Sequence, residues 1–314
     1  MSFASIGLLA LATAGTAGAS VASAPSTTAS RVWPGFVPQK TVPVSDPNKG
    51  AATSEAQRLL SLVKLEPGWV PVSSPPTASL ATPDSAPATS NLVDLYQLWT
   101  TSGTWQTVRA WVSAHPPSRS ILSESGGSYQ YGTPLESSLT YSYTAVADHF
   151  ESRQLSVAVA PLRSGGVGVR VDAQVIWYPS RSAAELIPQG TTRVIATVFR
   201  RSSPSDSTTV ILKTATFTYP PTVKLLAQKV DSLPLAVPGP KSCPYSNGTG
   251  PQLELDFSGR PGVPKVEVND DTNGCGRVSF IIGDTTEAPL TDGGLFHTVD
   301  QLLGLNLPTI DIGR

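Results

Sequence analysis

The chain has 314 residues, which is enough for one large domain or for two smaller domains that each have a core. Its 22 basic and 23 acidic residues give a formal net charge of −1, which disfavours nucleic-acid binding and electrostatic docking on an anionic membrane. Proline (29 residues) and glycine (26 residues) are frequent, so many turns and loops are expected.

The first residues have the pattern of an export signal. An apolar run, Ile6–Ala12, is followed by two Ala-x-Ala motifs that end at Ala19 and Ala24. Cleavage after Ala19 is favoured because Pro25 would directly follow the second cut. Residues 1–24 are therefore predicted to hold a signal peptide, and the protein is expected to be secreted or to lie in the cell envelope. An uncleaved membrane anchor is the alternative, although the apolar run is short for a span, and no later transmembrane segment is predicted.

Composition and periodicity divide the remaining chain into three parts. Residues 25–52 are rich in Pro, Ser and Thr without hydrophobic periodicity, which predicts a disordered tether. Residues 53–233 are predicted to form an α+β domain. The proline-rich stretch Pro234–Pro240 marks a boundary, and residues 241–314 are predicted to form a small subdomain.

The hydrophobic pattern predicts alternating helices and strands within these parts. In chain order they are a helix near 56–63, a strand at 92–99, a helix at 104–114, strands at 139–143, 155–159, 169–177, 192–200 and 208–218, and a helix at 220–233. Strands at 253–257, 266–268 and 278–282 and a helix at 292–304 follow. Short turns between successive strands favour an antiparallel sheet with helices packed on one face, plus a small C-terminal unit of three strands and a helix.

Two cysteines, Cys243 and Cys275, are predicted to form a disulfide that clamps the C-terminal unit, because exported proteins fold in an oxidising compartment. The closed loop of about 33 residues would stabilise the fold by roughly 3–4 kcal/mol. Two free thiols or half of a metal site are the alternatives, and the lack of a C-x-x-C motif and of a nearby histidine disfavours the metal site.

One predicted strand, Gly168–Trp177, carries polar side chains on one face. Arg170, Asp172 and Gln174 are spaced two residues apart, which places them on the same face. Trp177 ends the strand and Arg181 follows it, and this set is predicted to bind a carboxylate, a phosphate or a sugar. The alternative is a solvated outer face with simple surface ion pairs.

Motifs for catalysis or metal binding are weak. Asn269–Gly274 fits the first half of a calcium loop, but Phe280 stands where a bidentate glutamate is required. The three histidines lie far apart in the sequence, and no familiar hydrolase motif occurs. No catalytic residue, metal or cofactor is therefore assigned.

Several segments together resemble a family of exported proteins of high-GC actinobacteria for which no activity is established. They are residues 92–99, 110–117 and 169–179, the pair Cys243-Pro244 and the pair Gly274-Cys275. The resemblance implies export and a C-terminal region with two cysteines. It implies no activity, cofactor or site residue.

These observations favour a non-enzymatic binding module of the extracellular space or cell envelope. The first alternative is a hydrolase of cell wall or polysaccharide with carboxylates that the sequence does not identify. The second is a scaffold for a protein partner, which would expose a large apolar patch.

Overall fold

A computed structural model describes residues 46–130, 133–146, 149–203, 206–241, 249–273 and 275–307. Within them the chain is α+β, with two antiparallel sheets and four α-helices. The predicted signal peptide, most of the predicted tether and Cys243 lie outside the described residues. The Cys243–Cys275 disulfide therefore stays a prediction.

The first sheet has six strands in the order β1-β2-β6-β5-β4-β3. Their bounds are β1 Val70–Pro71, β2 Leu92–Thr101, β3 Ile121–Gln130, β4 Thr133–Tyr143, β5 Phe150–Pro161 and β6 Val167–Trp177. The predicted alternation of β6 is confirmed, since Val169, Val171 and Val175 lie in the core. The edge strand β3 was not predicted, because its Ser- and Gly-rich sequence shows no apolar alternation.

Two helices, α1 (Pro47–Leu60) and α2 (Trp105–Ala114), pack against strands of this sheet and share its core. The side chain of Asp46 caps α1 by accepting a hydrogen bond from the Asn48 N–H at 2.9 Å. The helix begins before the predicted start near residue 56, so residues 47–52 are helical and are not part of a tether. The early turns gave little signal because the buried positions Ala52 and Ala56 are alanines rather than large aliphatic residues.

The second sheet has the strand order β12-β11-β10-β9-β7-β8, and β13 also pairs with β11. Its strands are β7 Thr191–Ser203, β8 Asp206–Phe217, β9 Gln252–Gly259, β10 Val266–Asp271, β11 Arg277–Ile282, β12 Thr285–Thr286 and β13 Leu290–Thr291. Two helices, α3 (Pro220–Asp231) and α4 (Leu295–Leu303), share a core with this sheet.

The strand that pairs with β7 differs from the one that the sequence predicts. The sequence places β7 and β8 with the preceding strands, but β7 pairs along its length with β9, with Ala196 opposite Leu255 and Val198 opposite Leu253. The three C-terminal strands therefore belong to a larger sheet that begins at Thr191. Alternation shows which face of a strand is buried but does not show which strand lies beside it, so the sequence could not decide this pairing.

Candidate functional site

The predicted polar face of β6 is present, but another part of the chain covers it. We call residues 72–90, which connect β1 to β2 and contain the short 3-10 turn Ala78–Leu80, the strap. The 3-10 turn contacts β4, β5 and β6. Arg170, Asp172 and Gln174 lie on one face as predicted, but only 3%, 1% and 1% of their surfaces are exposed. These three side chains therefore offer no surface to a ligand in this structure.

Arg170 is held entirely by groups of the protein. Its Nε lies 2.8 Å and its Nη2 lies 2.6 Å from Oδ1 of Asp172. Its Nη1 donates to the carbonyl oxygens of Leu80 at 3.2 Å and Ala81 at 2.9 Å, both in the strap. The guanidinium carbon also lies 4.2 Å from the centre of the Tyr96 ring. Such a buried pair needs these additional hydrogen bonds to offset its desolvation, so Arg170 anchors the strap.

Gln174 joins the strap to the sheet in the same way. Its Nε2 donates to the carbonyl oxygen of Ser85 at 2.8 Å, and its Oε1 accepts from Gln154 at 2.5 Å. The strap lies so close to β6 that a Cβ on Gly168 would stand 2.7 Å from Cγ of Pro76. The absence of a side chain at Gly168 therefore lets the strap pack closely against β6.

Carboxyl groups lie beneath the strap in a poorly hydrated space. Glu136 is 7% exposed, and its Oε1 has no hydrogen-bond partner among the described residues. Burial, together with the nearby charges of Asp84 and Asp172, raises the pKa of Glu136 to about 7. Burial also raises the pKa of Asp94 and of Asp172. The strap therefore closes over groups whose ionisation is unfavourable there.

The other two predicted site residues lie elsewhere. Trp177 is 2% exposed in the core, on the face of β6 opposite Arg170. Arg181 donates from Nη1 to the carbonyl oxygens of Val230 at 2.7 Å and Asp231 at 3.1 Å, at the end of α3. These contacts compensate the unsatisfied carbonyls of a helix C-terminus. The structure therefore does not bring the five predicted residues into one site.

A different concave site lies at the end of α1. A cavity of about 660 Å³ is lined by Arg58, Ser118, Arg119, Tyr143, Thr144 and Arg153, and we call it the arginine pocket. Arg58 comes from α1, Arg119 from the turn between α2 and β3, and Arg153 from β5. Three segments that are distant in sequence thus meet at one concave surface.

Glu55 holds two of the three arginines in place. Arg58 donates to it through Nε at 2.7 Å and Nη2 at 2.8 Å, and Arg153 donates through Nη1 at 2.7 Å. The hydrogen bond from Arg58 lowers the pKa of Glu55, as does the bond from Arg153, so Glu55 stays ionised. Nε of Arg153 also donates to the carbonyl oxygen of Thr144 at 3.0 Å. Arg153 therefore contributes charge to the pocket, while most of its donors are already used.

Arg119 differs from the other two arginines. It is exposed and makes no hydrogen bond or ion pair with any residue that the structure describes. Its φ is +62°, in the left-handed region, where a non-glycine residue is strained. It occupies the third position of a turn closed by the hydrogen bond from the Ser120 N–H to the carbonyl oxygen of Pro117, at 3.3 Å. An arginine therefore stands at a turn position where glycine is preferred.

Tyr143 forms part of the pocket wall. Its hydroxyl is buried beside Ser120 and has no hydrogen bond of normal geometry within the described residues. Burial raises the pKa of Tyr143. The side chain therefore remains a neutral, largely apolar surface next to the guanidinium groups.

No pattern in the sequence predicts this pocket. Arg58, Arg119 and Arg153 share no motif and have no regular spacing, and only folding brings them together. Nothing in the sequence shows that Arg119 takes a positive φ.

Across the described ranges, no group of three or more His, Cys, Asp or Glu side chains is placed to hold a metal ion. None of the helices in the described parts of the chain is long and apolar enough to cross a membrane. Comparison with protein-family models, curated proteins and solved structures finds no match to the chain.

Proposed function

We propose that this chain is an exported, non-enzymatic binding module of the extracellular space or cell envelope, and that it holds an anionic ligand in the arginine pocket. Export is supported by the signal pattern of residues 1–24 and by the resemblance to exported actinobacterial proteins. The observation that carries the binding assignment is Arg119, an exposed arginine without a described partner that lines a cavity of ligand size.

The charges of the pocket favour an anion. Three guanidinium groups and one carboxylate, that of Glu55, leave a net charge of about +2 at the site. The side chain of Arg58 is 48% exposed, and its Nη1 makes no hydrogen bond within the described residues. Guanidinium groups bind carboxylates and phosphates through paired, charge-assisted hydrogen bonds, so Arg119 and Arg58 are suited to a shared anion.

The chemistry of the lining supports binding rather than turnover. Guanidinium groups stay protonated at every physiological pH, so the three arginines do not act as acids or bases. Among the described lining residues, Ser118 and Thr144 supply exposed hydroxyl groups, which can orient a ligand.

A hydrolase is the second candidate, and Glu136 is the observation that favours it. A carboxyl with a pKa of about 7 near Asp84 and Asp172 resembles the general acid of a glycosidase. The strap covers this group, so a substrate would reach it only after the strap opened. Turnover in a screen of cell-wall and polysaccharide substrates that is lost in Glu136→Gln would establish this function in place of the binding module.

The binding proposal is tested by calorimetry with phosphate, sulfate, citrate and acetate. At least one anion is expected to bind, and Arg119→Ala is expected to weaken binding at least about tenfold, since a charge-assisted hydrogen bond contributes about 1.5–3 kcal/mol. Arg163→Ala is the matched control, because it removes the same charge from an exposed turn outside the pocket. Equal losses in both variants, or no binding of any anion, would refute the assignment.

A further inference from the structure

We infer that the arginine pocket takes the phosphate group of an organic phosphate about the size of a sugar phosphate, an assignment that rests on the proposed function above. It is drawn from the arrangement of the three arginines, the charge balance at Glu55 and the volume of the cavity.

The three arginines that line the pocket favour a tetrahedral anion such as phosphate. Arg58, Arg119 and Arg153 reach the cavity from a helix, a turn and a strand, so three separate segments of the chain supply its guanidinium groups. A planar carboxylate is satisfied by a single guanidinium fork. A phosphate has three terminal oxygens that accept hydrogen bonds in different directions, and it can therefore use Arg119 together with Nη1 of Arg58.

The charge balance also favours phosphate. Glu55 stays ionised because hydrogen bonds from Arg58 and Arg153 stabilise its carboxylate, so it cancels one of the three positive charges. A phosphate monoester carries about −1.5 to −2 charges near pH 7 and balances the remainder. A carboxylate carries one charge and leaves a positive charge uncompensated.

The volume has room for more than a bare ion. A cavity of about 660 Å³ lies within the range of roughly 300–1,000 Å³ that is typical of sites for small organic ligands. Ser118 and Thr144 place polar groups on its wall, and Tyr143 adds a ring surface. These groups match a polar, hydroxylated body attached to the phosphate.

The experiment compares four probes on the full chain by isothermal titration calorimetry at low ionic strength: glucose 6-phosphate, glucuronate, glucose and inorganic phosphate. Glucose 6-phosphate is expected to bind at least about tenfold more tightly than glucuronate, and more tightly than inorganic phosphate. Its affinity is expected to fall on going from about pH 7.5 to about pH 5, because the second pKa of a phosphate monoester is about 6. The affinity for glucuronate should change little over that range.

Variants separate a ligand contact from a structural role. Arg119→Gly keeps the positive φ without strain and is expected to weaken glucose 6-phosphate binding at least about tenfold, whereas Arg163→Gly should leave it unchanged. Arg119→Asn, which also tolerates a left-handed backbone, is expected to give the same loss.

Each outcome has a separate meaning. Glucuronate that binds as tightly as glucose 6-phosphate would overturn the phosphate assignment and leave the anion-binding proposal intact. Inorganic phosphate that binds as tightly as the sugar phosphate would overturn the assignment of an organic ligand. A failure of all the anions, here and in the calorimetry with phosphate, sulfate, citrate and acetate, would overturn the proposed function as well.

Discussion

Replacement of Glu136 by glutamine should stabilise the protein at neutral and alkaline pH. The carboxyl lies beneath the strap, and its Oε1 has no hydrogen-bond partner among the described residues. Arg170 is the nearby positive charge, but desolvation and the charges of Asp84 and Asp172 outweigh its effect on Glu136. Glutamine has nearly the same shape and carries no charge, so it removes the unfavourable ionisation and preserves the packing.

The magnitude follows from the pKa of Glu136, which rises from 4.5 to about 7 on folding. Below about pH 4.5 both the folded and the unfolded chain hold the proton, and the effect is absent. Between the two values the unfolded chain releases the proton first, so the stability of the folded protein falls as the pH rises. Above about pH 7 both states are ionised and the full penalty applies, which is roughly 3 kcal/mol because one pKa unit corresponds to about 1.4 kcal/mol.

Urea unfolding of the wild type and of Glu136→Gln near about pH 4.5 and about pH 8 measures this effect. The variant should gain up to about 3 kcal/mol at the higher pH and almost nothing at the lower pH. Glu124→Gln on β3 is the matched control, since Glu124 is exposed. This variant should have almost the same unfolding free energy as the wild type at both pH values. A gain in Glu136→Gln that is the same at both values would refute the reasoning, since a packing effect does not depend on protonation.

Three further changes test the backbone and the second sheet. Arg119→Gly should raise the unfolding free energy by about 1 kcal/mol by relieving the positive φ, and a loss of stability in urea would show that Arg119 supports the fold. Gly168→Ala should lower the free energy of unfolding by about 1–3 kcal/mol, because the new methyl would stand 2.7 Å from Cγ of Pro76. Faster proteolysis within the strap should accompany this loss of stability. Asp270→Asn should be more stable than the wild type above about pH 8 and similar to it in acid, because burial, with the nearby charge of Asp292, raises the pKa of Asp270 to about 8. Thermal unfolding of both proteins across this pH range measures the effect. A difference in melting temperature that does not change with pH would contradict this explanation.

Local features of the fold could be predicted because they depend on residues that are close in sequence. The alternation of β6 correctly placed Val169 and Val171 in the core and Arg170 on the opposite face. The apolar spacing of α3 and its proline start likewise predicted a helix at the right place. The start of α1 and the presence of β3 were not predicted, because small or polar residues build those segments and give no periodic signal.

The environment of the polar face could not be predicted. Arg170, Asp172 and Gln174 have the pattern of side chains that face water, and a ligand site was a reasonable interpretation. Their burial results from the strap, whose backbone carbonyls at Leu80 and Ser85 accept their hydrogen bonds. Backbone acceptors are present in every residue, so the sequence carries no mark of which ones will be used.

The sequence by itself determined that the chain is α+β, where most of its strands and helices lie, and which side chains share a face, since these follow from periodicities within single segments. Only the tertiary structure decided that β7 pairs with β9, that the strap closes the face of β6, and that Arg58, Arg119 and Arg153 meet at one pocket. Each of these features joins segments that are distant in the chain, and their meeting depends on how whole layers pack.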